Sequence, residues 1–120
     1  CSFACVVVLK ATECLYALGG SMGNEIDVIQ RLSLERLEWD VMHLKLPSAQ
    51  SGIACFSKES KVWFVVRGKL YCLNSSTESI TLIKQTEFMG SYGGPSYYHN
   101  GYLYCSNTTG AAKRQELSLL

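Results

Sequence analysis

The segment Leu15-Tyr16-Ala17-Leu18-Gly19-Gly20, an apolar run closed by a diglycine, decides the fold because it returns twice in weaker form. It returns first as Val62-Trp63-Phe64-Val65 and then as Leu103-Tyr104-Cys105-Ser106. The aromatic residues of these segments are spaced by 47 residues between Tyr16 and Trp63 and by 41 residues between Trp63 and Tyr104. A period of about 40–50 residues that holds four strands is typical of a propeller blade.

Short apolar runs also fill the sequence between these segments, and turn-forming pairs such as Pro47-Ser48, Arg67-Gly68 and Asn100-Gly101 separate them. Many short runs with a turn every 8–12 residues predict an all-β domain. Many of the runs carry the β-branched and aromatic residues that strands prefer.

The stretch Glu25–Leu46 is the one segment that also fits a helix, because several of its apolar residues fall at helical spacing. Periodicity alone does not decide between a helix and two strands there. Its counterpart in the next repeat, Leu70–Lys84, contains Asn74-Ser75-Ser76-Thr77, which is a poor helix. We therefore interpret Glu25–Leu46 as two strands of a hairpin.

The composition is that of a globular chain, with 120 residues, 48% hydrophobic and 18% charged. Low charge with high hydrophobicity argues against disorder. The net charge of +1 gives no basic surplus for binding nucleic acid. The early apolar run Ala4–Leu9 is far shorter than the roughly 20 residues that a bilayer helix needs. We therefore expect neither a nucleic-acid nor a membrane partner.

The six cysteines contain no C-x-x-C pair, so we expect no zinc site and no cofactor. Their even number permits disulfides. Their density is below the roughly 8–10% of small disulfide scaffolds, and most of them lie in apolar runs, which favours reduced, buried thiols. Reduced thiols predict an intracellular, cytoplasmic protein. The cysteines are Cys1, Cys5, Cys14, Cys55, Cys72 and Cys105.

The first repeat resembles a kelch repeat. Gly19-Gly20 ends its second strand, Leu32-Ser33 and then Trp39 follow, and Leu44-Lys45-Leu46-Pro47 leads into the next strand. The second repeat departs from the pattern, since Ile80 stands in place of the Trp and Val65-Val66-Arg67-Gly68 in place of the diglycine. The resemblance covers nearly the whole chain, but only the first repeat carries the motif well.

The predicted fold is thus a fragment of an all-β propeller with about three four-stranded antiparallel blades, the last of them incomplete. By the resemblance, blade one covers residues 1–46, blade two residues 47–88 and blade three residues 89–120. A closed propeller needs about 4–8 blades, so we expect the chain to be a piece of a longer protein. The predicted strands are Ser2–Leu9, Cys14–Gly19, Asp27–Leu34, Leu37–Leu44, Ser51–Phe56, Lys61–Val66, Lys69–Leu73, Ser79–Lys84, Gly93–His99, Gly101–Ser106 and Arg114–Leu119.

Three aromatic residues are assigned to the core. Trp39 fills the Trp position of the repeat, so we expect it to be buried between blades one and two. Within the tyrosine-rich stretch of blade three, we expect Tyr98 and Tyr104 to be buried as well.

The candidate binding residues lie in the loops that a propeller presents on one face, after the second strand of each blade and between blades. Arg67 ranks first, because a two-residue turn fixes its backbone and its guanidinium can bind a carboxylate at two points. The plainer interpretation is that Arg67 is a solvated turn residue. The candidates are Ser21, Met22, Asn24, Ser48, Gln50, Arg67, Ser91, Tyr92, Thr108 and Lys113.

The kelch resemblance implies a non-catalytic protein–protein interaction module, a scaffold or adaptor, whose loop face binds a protein partner. The guanidinium of Arg67 points to an acidic peptide as that partner. The alternative is a piece of a kelch-like propeller enzyme, of oxidase or lyase type, whose catalytic residues lie outside this fragment. A catalytic pair such as Cys55 with His99 is a weaker interpretation. The acidic cluster Glu35, Glu38 and Asp40 is best explained as a solvated face.

Overall fold

The computed structural model describes residues 5–50, 52–86, 96–106 and 112–117, and within these ranges every regular element is a strand. The predicted all-β class is therefore confirmed. The strands are β1 Cys5–Leu9, β2 Cys14–Leu18, β3 Ser21–Met22, β4 Asn24–Glu25, β5 Val28–Ser33, β6 Glu38–Lys45, β7 Ala54–Lys58, β8 Lys61–Val66, β9 Lys69–Asn74, β10 Ser79–Gln85, β11 Ser96–His99, β12 Tyr102–Ser106 and β13 Ala112–Glu116.

The strands form three antiparallel sheets and one small hairpin. Blade one is the sheet β1-β2-β5-β6, blade two is β7-β8-β9-β10 and blade three is β11-β12-β13. The hairpin β3-β4 is inserted between β2 and β5 and was not predicted. β5 and β6 confirm that the ambiguous stretch is a strand hairpin. Its turn closes where the Leu37 amide donates to the Ser33 carbonyl at 2.7 Å.

Blade one packs on blade two through an apolar cluster to which both sheets contribute. Tyr16, Leu18 and Ile29 of blade one are fully buried against Val62 and Phe64 of blade two. Neighbouring side chains on a strand point to opposite faces, so these residues come from alternate positions. Burial of large apolar side chains between the sheets is the main stabilising term of this fold.

Blade two packs on blade three through its other face. The Phe56 ring stacks on Tyr98 with 4.5 Å between the ring centroids, and Leu103 and Cys105 of β12 are buried in the same cluster. The Ser96 hydroxyl accepts from the amide of Cys55 at 3.0 Å and donates to its carbonyl at 2.8 Å. Blade two is thus covered on both faces, which explains why β8 is apolar from Val62 to Val66 without alternation.

The predicted burial of Trp39 is wrong, since 55% of this residue is exposed. Trp39 pairs with Leu32, whereas the next residue, Asp40, pairs with Arg31 and so shares a face with Tyr16. Because Tyr16 lies in the interface with blade two, Trp39 must lie on the opposite face of blade one.

In blade three, Tyr98 packs against the cluster as predicted, but Tyr104 is exposed and its predicted burial is wrong. Leu103 and Cys105, its neighbours on β12, turn towards blade two and are buried. Tyr104 therefore lies on the face of blade three that points away from blade two.

The prediction of reduced cysteines is wrong for one pair, because Cys5 and Cys55 form a disulfide. The bond joins β1 to β7, the first strands of two adjacent blades, whose cysteine Cα atoms lie 6.4 Å apart. That separation suits a disulfide. Among the described cysteines, Cys72 and Cys105 are buried thiols, as expected, and Cys14 is a half-buried thiol. Burial raises the pKa of the Cys105 thiol to about 11.

Candidate functional site

Three connections meet at one end of blades one and two, and we call them the loop cluster. They are the β2–β5 connection (19–27), the described residues between the two blades (46–50 and 52–53) and the β8–β9 turn (67–68). Gln50 lies at their centre with 4% of its surface exposed. Its carbonyl accepts from the Gly20 amide at 3.0 Å, and its side-chain oxygen accepts from the Arg67 amide at 2.9 Å. Gln50 therefore positions the loops.

Gly19, the first glycine of the diglycine, is required because the backbone of Gln50 passes close to it. Gly19 has φ +65°, and a Cβ at this position would collide with the Gln50 carbonyl oxygen. The Cβ would also lie 2.9 Å from the Cδ1 atom of Ile53. The left-handed conformation and the missing side chain both explain why the chain uses glycine here.

Arg67 forms the tip of the β8–β9 turn together with Gly68, and both have positive φ, +53° and +77°. Two consecutive positive φ values are the pattern of a type I′ hairpin turn. The Arg67 guanidinium donates from Nε to the Ser48 hydroxyl at 3.3 Å and from Nη2 to the Ala49 carbonyl at 3.0 Å. Its Nη2 also lies 3.8 Å from a carboxylate oxygen of Glu25. The side chain stays 61% exposed.

The remaining candidates of blade one lie on the inserted hairpin. Ser21 is half-buried, while Met22 and Asn24 are exposed on either side of Gly23, whose φ is +85°. Glu25 ends this hairpin and brings a carboxylate to Arg67, a contact that the sequence analysis missed. The structure thus joins Ser48, Gln50 and Arg67 by direct contacts and links them to the hairpin through Glu25.

Four candidates belong to blade three or to the segment that precedes its first strand in the sequence. Ser91, Tyr92 and Thr108 lie outside the described residues. Lys113 was expected in a loop, but its backbone belongs to β13 and pairs with Cys105. The loop assignment of Lys113 is therefore wrong, because the third strand of this sheet begins at Ala112 and not at Arg114.

A cleft of about 350 Å³ at the β5–β6 hairpin contains the predicted acidic cluster. The Arg31 guanidinium donates to both carboxylate oxygens of Asp40, at 3.2 and 2.8 Å, and this bond lowers the pKa of Asp40. In the described ranges, no three His, Cys, Asp or Glu residues are grouped so that they could hold a metal ion. The interpretation of Cys55 and His99 as a catalytic pair is also wrong, because the sulfur of Cys55 is bonded to Cys5 and is not a free thiol.

The stacked antiparallel sheets define a propeller-like all-β fold, and the comparisons with known proteins agree. No known family and no curated protein matches the sequence. The solved structure of YjhT is similar, with a TM-score of 0.74 and 9% sequence identity, over 97% of this chain and 52% of that one. The chain thus spans about half the length of YjhT. At this identity the likeness shows the fold alone. The described part of the chain contains no helix long and apolar enough to span a membrane.

Proposed function

We propose that the chain is part of a propeller of degenerate kelch repeats and serves as a non-catalytic protein–protein interaction module. The loop cluster is its binding surface. The observation that carries the proposal is the construction of this cluster. Loops from two blades are tied together through buried Gln50, while the charged tip of Arg67 stays largely exposed. Functional residues concentrate on loops that a rigid scaffold positions.

A surface of this kind loses little conformational entropy when a partner binds. The Arg67 backbone is held by Gln50, and its guanidinium is oriented by Ser48 and Ala49 before any partner arrives. Preorganisation raises affinity by reducing the ordering cost of binding. Arg is enriched among the residues that dominate interface energies, and Met adapts to varied apolar partners, as exposed Met22 is placed to do.

The charge at the cluster favours a partner segment with acidic side chains. A carboxylate oxygen of Glu25 already lies 3.8 Å from the Arg67 guanidinium, so an anionic group fits beside this side chain. An acidic peptide would add a second carboxylate or replace that of Glu25. Arg is well suited to this role because its planar guanidinium binds carboxylates at two points.

The test is affinity capture with the full-length protein, its Arg67→Ala variant and a matched control, Lys69→Ala. Lys69 is an exposed cation two residues from Arg67 that lies in β9 and outside the loop cluster. We expect Arg67→Ala to weaken binding of the captured partner at least about tenfold, which corresponds to about 1.4 kcal/mol. We expect the melting temperatures of both variants to stay near that of the wild type. Equal binding by all three proteins would refute the role of Arg67.

A further inference from the structure

The turn between β9 and β10 carries a sequence motif that the proposed binding surface does not use. Asn74-Ser75-Ser76 has the form Asn-x-Ser with x different from proline, which is the acceptor sequence for N-linked glycans. Asn74 is the last residue of β9 and pairs with Ser79, the first residue of β10, so the motif opens this hairpin turn. Such a motif is functional only where the turn is exposed and the protein passes through a secretory pathway.

The turn is accessible from solvent and would remain so in a longer propeller. Ser76, Thr77 and Glu78 are exposed, and Asn74 is half-buried at the base of the turn. Blade two already has blade one on one face and blade three on the other. Further blades would therefore join at blade one or at blade three, and the exposure of this turn does not depend on them.

Hydrogen bonds hold the Asn74 side chain in a defined position. Its Oδ1 atom accepts from the amide of Ser76 at 2.9 Å and from the amide of Thr77 at 3.3 Å, which forms an Asx turn. Because both contacts use Oδ1, they leave the side-chain nitrogen Nδ2 for reaction, and Nδ2 is the atom that would carry a glycan. The hydroxyls of Thr77 and Ser79 lie 2.7 Å apart and support the turn independently of the Ser76 hydroxyl.

The disulfide between Cys5 and Cys55 is an independent indication of an oxidising compartment. Disulfides form and persist in the secretory pathway and outside the cell, and they are rare in the cytosol, where thiols are kept reduced. The bond joins two adjacent blades and Cys55 is buried, so the bond belongs to the folded core. In a eukaryotic cell the oxidising lumen of the endoplasmic reticulum, where such a bond forms, is also where N-linked glycans are added.

We propose that Asn74 is an N-glycosylation site and that the protein matures in an oxidising secretory compartment. The co-reactant is an oligosaccharide linked through its anomeric carbon to a lipid diphosphate. The Nδ2 atom of Asn74 forms a bond to that carbon, and the bond between the carbon and the diphosphate oxygen breaks. The lipid diphosphate leaves with the electron pair, and the proton lost from Nδ2 passes to a base of the transferring enzyme.

A glycan on Asn74 would leave the loop cluster open to a partner. β9 runs from the β8–β9 turn, which belongs to the loop cluster, to Asn74, so these two turns lie at opposite ends of blade two. At about 3.4 Å per residue, the six residues of β9 separate its two ends by roughly 17 Å. The modification is therefore compatible with the proposed binding surface and does not depend on it.

The experiment maps Asn74 in the full-length protein isolated from its own cells. Cleavage by a peptide-N-glycosidase in water labelled with heavy oxygen converts a glycosylated Asn into a labelled Asp, which peptide mass spectrometry locates. We expect labelled Asp at residue 74 and, in the unreduced digest, peptides joined through Cys5 and Cys55. The peptides distinguish this site from Asn107-Thr108-Thr109, an acceptor motif that lies outside the described residues. Unlabelled Asn at residue 74 would overturn the proposal, whether or not the disulfide is found.

Matched serine variants separate the acceptor motif from the fold. Ser76→Ala destroys the motif while it keeps Asn74, and Ser75→Ala keeps the motif because every residue except proline is accepted there. Expressed in the same cells, Ser76→Ala should lose the label at residue 74, whereas Ser75→Ala and Ser76→Thr should retain it. Far-UV circular dichroism checks that each variant keeps its strands. A label at residue 74 in Ser76→Ala would reveal spontaneous deamidation and would also overturn the proposal.

Discussion

Removal of the Cys5–Cys55 disulfide should lower the free energy of unfolding by about 4 kcal/mol. The bond connects residues separated by 50 positions, so it restricts a long loop of the unfolded chain. In the chain-entropy treatment, a loop of that length corresponds to about 4 kcal/mol at 25 °C. Domains of this size are stable by only about 5–15 kcal/mol, so the loss would be a large part of the total.

The folded state should change little when the bond is removed. Cys55 is buried among apolar side chains and Cys5 packs against the same cluster, so alanine at both positions leaves no unsatisfied polar group. The two strands also remain joined through the buried side chains of their sheets, including Leu9 and Phe64. The effect should therefore arise mainly through the unfolded chain.

The assay is urea unfolding of the wild type and of the double variant Cys5→Ala/Cys55→Ala, at one protein concentration. Cys14→Ala is the control, since Cys14 is a half-buried thiol outside the disulfide. Wild-type protein in reductant should behave like the double variant, and the control should unfold like the untreated wild type. A difference below about 1 kcal/mol between the wild type and the double variant would refute the role of the disulfide and restore the expectation of reduced thiols.

Three further predictions concern burial and charge. Phe64→Ala should cost about 3–5 kcal/mol in urea unfolding because the ring is fully buried, whereas Trp39→Ala should cost less than about 1 kcal/mol because its side chain is exposed. Alkylation at pH 8 should modify Cys14 well before Cys105, whose thiol pKa of about 11 keeps it protonated, and mass spectrometry would show equal rates if this is wrong. The lowered pKa of Asp40 means that its ion pair with Arg31 contributes stability above the ordinary Asp pKa of about 4, and that this stability is lost as the pH falls through the lower pKa of the folded state. Asp40→Asn should therefore cost less than about 1 kcal/mol in urea unfolding at pH 7, and the cost should decrease as the pH is lowered below about 4.

The strands were accessible to sequence reasoning because each is short, apolar and bounded by turn residues. β8 was predicted at the residues it occupies, Lys61–Val66, and the β5–β6 hairpin was found by comparison with the second repeat. Burial was harder to predict, as Trp39 shows. Alternation along β6 separates two faces, but it does not say which face the next blade covers.

Contacts between blades explain the other differences. Cys5 and Cys55 come together because the first strands of adjacent blades lie side by side, and no property of either cysteine's own segment contains that information. The same holds for Gln50, which was singled out as a surface residue and is a buried centre of hydrogen bonds. The low cysteine density led to a wrong prediction of reduced thiols for Cys5 and Cys55. The expectation of a reducing compartment rested on that prediction and loses its support.

The departure of the second repeat from the diglycine pattern has a geometric explanation. In blade one the chain leaves β2 through Gly19 and Gly20, with φ +65° and +104°, and continues into the inserted hairpin. In blade two it leaves β8 through Arg67 and Gly68, with φ +53° and +77°. Both repeats thus need two consecutive left-handed residues after the second strand, which the sequence meets with two glycines in one blade and one in the other. Gly19 has to be glycine because the Gln50 carbonyl leaves no space for a Cβ. When Tyr16 is aligned with Trp63, Arg67 corresponds to Gly20, and Gln50 accepts from both amides, with its carbonyl in blade one and with its side-chain oxygen in blade two.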